Sequence, residues 1–398
     1  MISRLQPSAE NIRLLNFATL CSWLTASLSL AITALAKYGQ DFRGYYAAAR
    51  VLLIDGNPYD YRQVVPILLE TTGHAGNNPY YYPPWFAWFF TPLALLPYDV
   101  ARGLWMIFNL SLWALGLWQL SALLDWNPVG WQRWLTYLYA TLLFAWMTWR
   151  FEQTGILLFV LLIAVISSIQ HRQWNWAGLW LALLLIKPNI TLLLVLAIGL
   201  WLIRRSQWQP IIVMLGILAL LLIVTTTATP DWYRPIFQPD FDRGLTSTLD
   251  GPDKVVAIRI NTTLLDWLNR FHLNRNISLW IYIWTVVGSL LLVAYFVIKS
   301  DSLMKITVIS VLVSFVITPY ALQYDFPPLT IPLFWSLVCA ANTDKPKWVS
   351  AVFLVALASV LVWERPISDG YWLVIGLISF TAWSWPRAAQ RLPFLDLL

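Results

Sequence analysis

The sequence is poor in charge. Asp, Glu, Lys and Arg make up only 12% of its 398 residues, about half the share in an ordinary soluble domain. So few charges cannot cover a water-facing surface of this size, which leaves little room for a water-soluble enzyme. Hydrophobic residues reach 59%, which excludes a disordered chain. Cysteine is almost absent. Cys21 and Cys339 sit far apart inside apolar runs and offer neither a disulfide framework nor a zinc pattern. They read as small buried or lipid-facing residues. His74, His171 and His272 do not cluster, which argues against a transition-metal centre. No internal repeat or low-complexity tract is apparent.

What the chain does have is apolar length. Runs at 14–36, 102–124, 134–149, 155–169, 174–186, 190–203, 211–227, 277–298, 306–318, 328–341, 348–363 and 371–385 predict an all-α integral membrane protein, with about twelve transmembrane helices across a bilayer core of roughly 30 Å. Several runs are only ~13–16 residues long, which suggests local thinning or paired half-length helices. Ala34-Leu35-Ala36 resembles a signal-peptidase site, but the first run exceeds the roughly 7–15 apolar residues of a secretory signal. It reads as a retained first helix. Tryptophan is abundant, and Trp105, Trp134, Trp149, Trp174, Trp201 and Trp385 stand at run ends, where indole rings favour the membrane–water interface.

The net charge of +6 sorts by membrane side. Residues 84–96 are apolar but short, and Pro92 interrupts them. If they crossed, the basic loops at His171-Arg172, Arg204-Arg205, 299–305, 345–347 and 387–391 would all lie outside, against the positive-inside rule. Placed as a juxtamembrane or re-entrant segment, they leave every one of those loops and both termini in the cytoplasm. Two large segments, 38–99 and 228–276, then lie on the extracytoplasmic side of one integral domain covering 1–398. The positive charge is an orientation signal, with no nucleic-acid footprint.

Residues able to carry chemistry gather in those outer parts. Residues 42–53 read as a short amphipathic helix ended by Gly56-Asn57-Pro58. Asp41 stands at its N-cap position. It is either a capping carboxylate or a base held above the membrane that takes a proton from an attacking hydroxyl. Tyr45 and Tyr46 are either interfacial aromatics or ligands. Arg150, Glu152 and Gln153 form a polar knot between two helices, with Glu152 read as a partner of Arg150. Lys187 interrupts an apolar hairpin before Pro188. A lysine there either snorkels to the interface or faces a cavity, a carboxylate or a phosphate. Asp325 is either a plain loop carboxylate or the group that holds Lys187 or orients a substrate. The second outer segment is mixed in charge and is expected to cover the cavity and read the acceptor. His272 reads as a surface residue.

At this point the chain resembles a known family. The string Asp41-Phe42-x-x-Tyr45-Tyr46-x-Ala48-Ala49-x-x-Leu52-Leu53-x-x-Gly56-x-Pro58-Tyr59-Asp60 is similar to the opening of the GT-C glycosyltransferases of family 87. So are Tyr82-Pro83-Pro84-Trp85-Phe86-Ala87, 92–97 with Ala101 and Trp105, Gln153-x-Gly155, Ala177-Gly178 with Lys187-Pro188, Arg204-Arg205-x-x-Trp208, and Pro319-Tyr320 with Tyr324-Asp325. The order and spacing run to about residue 341. The family's usual Gly-Gln-Asn-like string is Glu152-Gln153-Thr154 here, so only Gln153 carries over.

The resemblance implies a GT-C-type bundle with juxtamembrane helices in the first extracytoplasmic loop. It implies transfer of a hexose, mannose by family analogy, from a polyprenyl-phosphate sugar donor to a lipid or glycan acceptor. The anomeric centre is inverted, Asp41 is the general base, and membrane lipid surrounds the site. Beside the resemblance, Arg43, Arg150 and Lys187 are the nearest cations for a departing phosphate, and with Tyr45, Tyr46, Tyr82, Gln153, Tyr324 and Asp325 they are the candidate substrate-binding positions. No cofactor or bound metal is implied, and the first outer segment carries no Asp-x-Asp pair. A bacterial inner membrane is the expected location. The competing reading is a multi-pass lipid or solute transporter; no inverted repeat supports it, and the polar residues concentrate toward the outer face. A non-catalytic scaffold would leave the Asp41 constellation unexplained.

Overall fold

The computed structural model describes residues 27–28, 41–73, 80–126, 131–237, 263–265, 268, 274–341, 374, 376–378 and 380–382. Among these residues every regular element is helical. All but two residues of the expected helix at 14–36, the crossing at 348–363 and most of 228–276 and 371–385 lie outside the described residues.

The first segment builds a small helical cap. Helix α1 (Phe42–Leu52) and α2 (Tyr61–Thr72) form a hairpin, followed by the short α3 (Pro84–Phe89) and α4 (Thr91–Ala94). Asp60 caps α2 by accepting the Arg62 amide at 3.1 Å. Gly73 ends it in the left-handed region at φ +69°, a conformation that costs glycine nothing. Neither α3 nor α4 is long enough to cross a bilayer, in keeping with a juxtamembrane segment. Helix α1 forms where the short amphipathic helix is expected, and it is almost wholly enclosed. Phe42, Gly44 to Ala49, Val51 and Leu52 are all buried, because α2, α3, α4 and the next helix pack around it.

The remaining helices make the membrane body. Helix α5 (Tyr98–Leu123) is followed by α6 (Trp131–Ala140), a π-helical stretch (Thr141–Ala145) and α7 (Trp146–Phe151), which run on without a break. Then come α8 (Gly155–Gln170), α9 (Trp174–Leu184), α10 (Pro188–Arg204), α11 (Gln209–Ala228), α12 (Arg275–Lys299), α13 (Leu303–Ile317) and α14 (Thr330–Ala341). Among the described residues, three helices are long and apolar enough to span a bilayer: Tyr98–Leu123, Gln209–Ala228 and Asn276–Lys299. Gly155–Gln170, Pro188–Arg204 and Leu303–Ile317 are apolar but shorter. At 1.5 Å per residue they fall several ångströms short of a core of about 30 Å. Helices α11 and α12 turn most of their apolar surface outward, including Ile212, Leu215, Ile223, Trp280, Trp284 and Leu291. Such a face suits hydrocarbon and not water.

Short turns fix which residues share an end. The chain passes from α7 to α8 at 152–154, returns at His171-Arg172, comes back at 185–187 and returns again at 205–208. Antiparallel neighbours therefore put Glu152-Gln153 and Lys187 at one end and the basic turns at the other. At the basic end Asp301 pairs with Arg204 at 2.7 Å and Arg205 at 3.1 Å, tying the α10–α11 turn to the α12–α13 turn. The segment after α13, with 3₁₀ turns at Gln323–Asp325 and Pro327–Leu329, returns to the first end. Of the tryptophans expected at the interface, Trp174 is half-buried at the start of α9, while three others are enclosed by protein. Trp105, Trp149 and Trp201 are fully buried, since they lie on faces turned toward neighbouring helices.

Candidate active site

Four segments converge on Gln153. Its Nε2 donates to Asp41 Oδ2 at 2.6 Å. Its Oε1 accepts from Tyr82 at 2.7 Å, from Tyr45 at 2.8 Å and from Lys187 Nζ at 3.4 Å. The Tyr45 and Tyr82 hydroxyls also lie 2.7 Å apart. One side-chain amide thus joins the start of α1, the approach to α3, the α7–α8 turn and the α9–α10 turn. Asp41 sits at the N-cap of α1 but makes no side-chain capping bond there; its carboxylate is turned toward Gln153.

Lys187 is buried. Its ammonium pairs with Asp325 Oδ1 at 2.5 Å and lies 4.9 Å from the Tyr324 ring centroid and 5.6 Å from that of Tyr82. The snorkelling alternative is not what the chain adopts. Burial opposes the ammonium charge, but the Asp325 carboxylate, Tyr82 and the hydrogen bond to Asp325 together outweigh it and hold the pKa above the usual lysine range. Asp325 is fully buried, and its Oδ2 accepts the Leu322 amide at 3.0 Å. Both carboxylate oxygens are satisfied, which a buried charge requires.

The turn carrying Asp325 is pinned to α7 and α8. Thr148 Oγ1 donates to Tyr324 O at 2.7 Å. Gly155 opens α8 against the same carbonyl, and a Cβ there would collide with Tyr324 O. Only a residue without a side chain lets α8 begin this close to the turn.

Glu152 has a different partner from the one expected. Its Oε1 takes Arg102 Nε at 2.5 Å, and Arg150 lies 5.9 Å over the Phe151 ring. The reason is backbone direction. Glu152 adopts φ +56°, which swings its side chain away from α7 and toward α5. Its carbonyl accepts Trp105 Nε1 at 2.8 Å. Burial pushes the Glu152 carboxyl up to about 7; the Arg102 charge and hydrogen bond pull it down, and the Asp41 charge adds to the rise.

The other expected residues fall into place as follows. Arg43, on α1, has a buried Nε without a hydrogen-bond partner. Tyr46 donates to Leu96 O at 2.7 Å and serves to tie α1 to the end of α4. Sequence reasoning missed Arg102, which stands at the head of an apolar run and reads as its boundary. It also missed Tyr59, which donates to Tyr82 O at 2.5 Å. The Tyr59 ring lies 5.9 Å from that of Trp232, at the start of the second outer segment.

A buried ammonium, the Asp41 and Asp325 carboxylates and three tyrosines thus lie together at one end of an apolar bundle. A family model described as glycosyltransferase family 87 matches residues 80–319, more than half of the chain. The chain belongs to glycosyltransferase family 87. No curated protein and no solved structure matches it. Family 87 membership makes this chain a glycosyltransferase with donor and acceptor substrates, and decides against the transporter reading. The matched span holds Tyr82, Arg102, Glu152, Gln153 and Lys187, whereas Asp41 and Asp325 lie on either side of it.

Proposed function

We propose that this family 87 enzyme transfers a hexose from a polyprenyl-phosphate donor to a lipid or glycan hydroxyl at the extracytoplasmic face of the membrane. The observation that carries this reading is the line Asp41–Gln153–Lys187–Asp325. It sets one carboxylate, through a single amide, beside a buried ammonium.

In the reaction the acceptor oxygen attacks the anomeric carbon, and the bond from that carbon to the phosphate oxygen breaks. Asp41 takes the acceptor proton, and the electron pair leaves with the polyprenyl phosphate. Attack opposite the leaving group inverts the anomeric centre. A sugar phosphate already has a good leaving group, so one base and nearby cations suffice. Gln153 keeps the Asp41 carboxylate oriented and supplies no proton of its own. Lys187, balanced by Asp325, donates to the Gln153 amide oxygen and holds the amide from the side away from Asp41. Arg43 lies two residues beyond Asp41, and its unpartnered Nε is the donor we assign to the departing phosphate.

The face follows from charge. The site end is opposite the end bearing His171, Arg172, Arg204, Arg205 and Lys299, which the positive-inside rule puts in the cytoplasm. A bacterial inner membrane with both termini inside fits this orientation. Mannose is favoured by family analogy alone.

The test is transfer in membranes from polyprenyl-phosphate-linked mannose, glucose and pentose, with wild type compared to Asp41→Asn. Turnover should fall by about 10²–10⁴ while donor binding is kept, the loss expected of a missing general base. Full activity in Asp41→Asn would overturn the base assignment. No transfer from any of the three donors would overturn the donor class.

A further inference from the structure

Glu152 occupies a position where glycine is the cheap residue. Helix α7 ends through two bonds, Gln153 N to Thr148 O at 2.9 Å and Glu152 N to Trp149 O at 3.1 Å, around a left-handed residue. This is the common glycine-closed helix end, and any Cβ there is a cost. The glutamate is kept in place from α5. Arg102 holds its side chain at 2.5 Å and Trp105, one turn further on, holds its carbonyl at 2.8 Å. The side chain is fully buried, yet Oε2 has no hydrogen-bond partner. As a fold-stabilising device this is poor, since a strained backbone carries a buried and half-satisfied charge. The next residue is Gln153, whose amide bridges Asp41 and Lys187.

We propose that Arg102 and Glu152 are positioning residues for the transfer reaction. Anchored on α5, they fix the rotation of the α7–α8 turn that aims Gln153 Nε2 at Asp41. Neither touches substrate. The role rests on the reading of Asp41 as the base, and it assigns a task to an ion pair that the reaction chemistry leaves unused. The Trp105 bond to the Glu152 carbonyl does not depend on the side chain, so the part tested is the Arg102 tether. A glycine at 152 would close the helix with less strain, but would leave the turn free of its Arg102 tether.

Glu152→Gly therefore separates positioning from folding. The full-length enzyme is assayed in nanodiscs with whichever of polyprenyl-phosphate-linked mannose, glucose or pentose supports turnover. Glu152→Gly should lower kcat by about tenfold to a hundredfold, the scale of a sub-ångström to ångström misplacement, with donor KM within about twofold. Its thermal midpoint should not fall. Glu152→Gln keeps an acceptor for Arg102 and should hold kcat within about threefold of wild type. A kcat for Glu152→Gly within about twofold of wild type overturns the proposal, as does a loss of kcat that tracks a loss of folded protein.

A second readout needs no substrate. Carbodiimide labelling of Asp41, followed by mass spectrometry, should change in rate by at least about threefold in Glu152→Gly and stay near wild type in Glu152→Gln, because geometry sets the reactivity of a held carboxylate. An unchanged rate in Glu152→Gly overturns the positioning role. If Asp41→Asn remains fully active, the base assignment fails on its own, and the labelling still decides whether Glu152 aims Gln153.

Discussion

Two buried carboxylates stand at the same end of the helix bundle, and they are held in different ways. Asp325 has both oxygens engaged, one by Lys187 and one by the Leu322 amide. Glu152 has one oxygen on Arg102 and the other without a partner. Asp325 sits in a 3₁₀ turn clamped by Thr148 and Gly155, whereas Glu152 sits on a single strained residue. The saturated pair acts as a fixed clamp whose loss is felt by the whole fold. In the half-satisfied pair burial pushes the Glu152 carboxyl up to about 7, and this pair is expected to be the more responsive of the two. A bundle of this composition can keep few charges at its polar end, so the number of partners per oxygen decides which charge is structural and which is adjustable.

The largest effect should come from breaking the clamp. Lys187→Met leaves Asp325 buried and unpaired, and should cost about 3–5 kcal/mol of stability, the penalty of removing one partner from a buried pair. Lys187→Met/Asp325→Asn removes the charge but keeps an acceptor for Leu322, and denaturant unfolding in detergent should show most of that loss recovered. If the double variant is as unstable as the single one, the clamp is not held by charge pairing.

A smaller effect should appear on titration. The folded Glu152 carboxyl is raised from 4.5 to about 7. The folded state therefore binds this proton more tightly than the unfolded one. The resulting stability is fully present below about 4.5 and is lost as pH rises through about 7. Wild-type unfolding midpoints should decline across that window, and Glu152→Gln should remove that part of the slope. Equal slopes in the two proteins would show that Glu152 does not titrate there.

The smallest effect belongs to the far end. Asp301 is 72% exposed where it meets Arg204 and Arg205, and exposed pairs contribute little. Asp301→Ala should leave the unfolding midpoint near that of wild type and turnover unchanged. A loss comparable to that of Lys187→Met would erase the contrast between the two ends.

Much of this arrangement was legible in the sequence. Apolar runs marked α5 and α8 to α13 because a helix that faces lipid has no alternative to sustained hydrophobicity. Asp41, Gln153, Lys187 and Asp325 stood out as polar residues next to such runs, and the structure joins them. Other features depend on long-range packing. The Arg102–Glu152 pair spans 50 residues and hinges on one left-handed backbone angle, which side-chain type does not disclose. Helix α2 carries Pro66 in its interior, which masks in the sequence the apolar face that Val64 and Leu68 present to α1. Helix α1 looks amphipathic alone, yet its neighbours bury nearly all of it. Three of the tryptophans mislead for a related reason, since a position at the end of an apolar run does not say which way the ring faces.

The π-helical stretch Thr141–Ala145 adds a consequence of its own. A π turn accommodates one residue more than the α-helix around it, so α6 and α7 are out of phase with each other. Each residue of an α-helix turns the chain by about 100°. Without that extra residue, Thr148 would rotate away from Tyr324, and the Glu152 turn with Gln153 would point elsewhere. The helix thus works like a threaded rod: its residue count sets the angle at which its far end is delivered, and the Asp41–Gln153 contact is adjusted more than two helical turns away from where it is made.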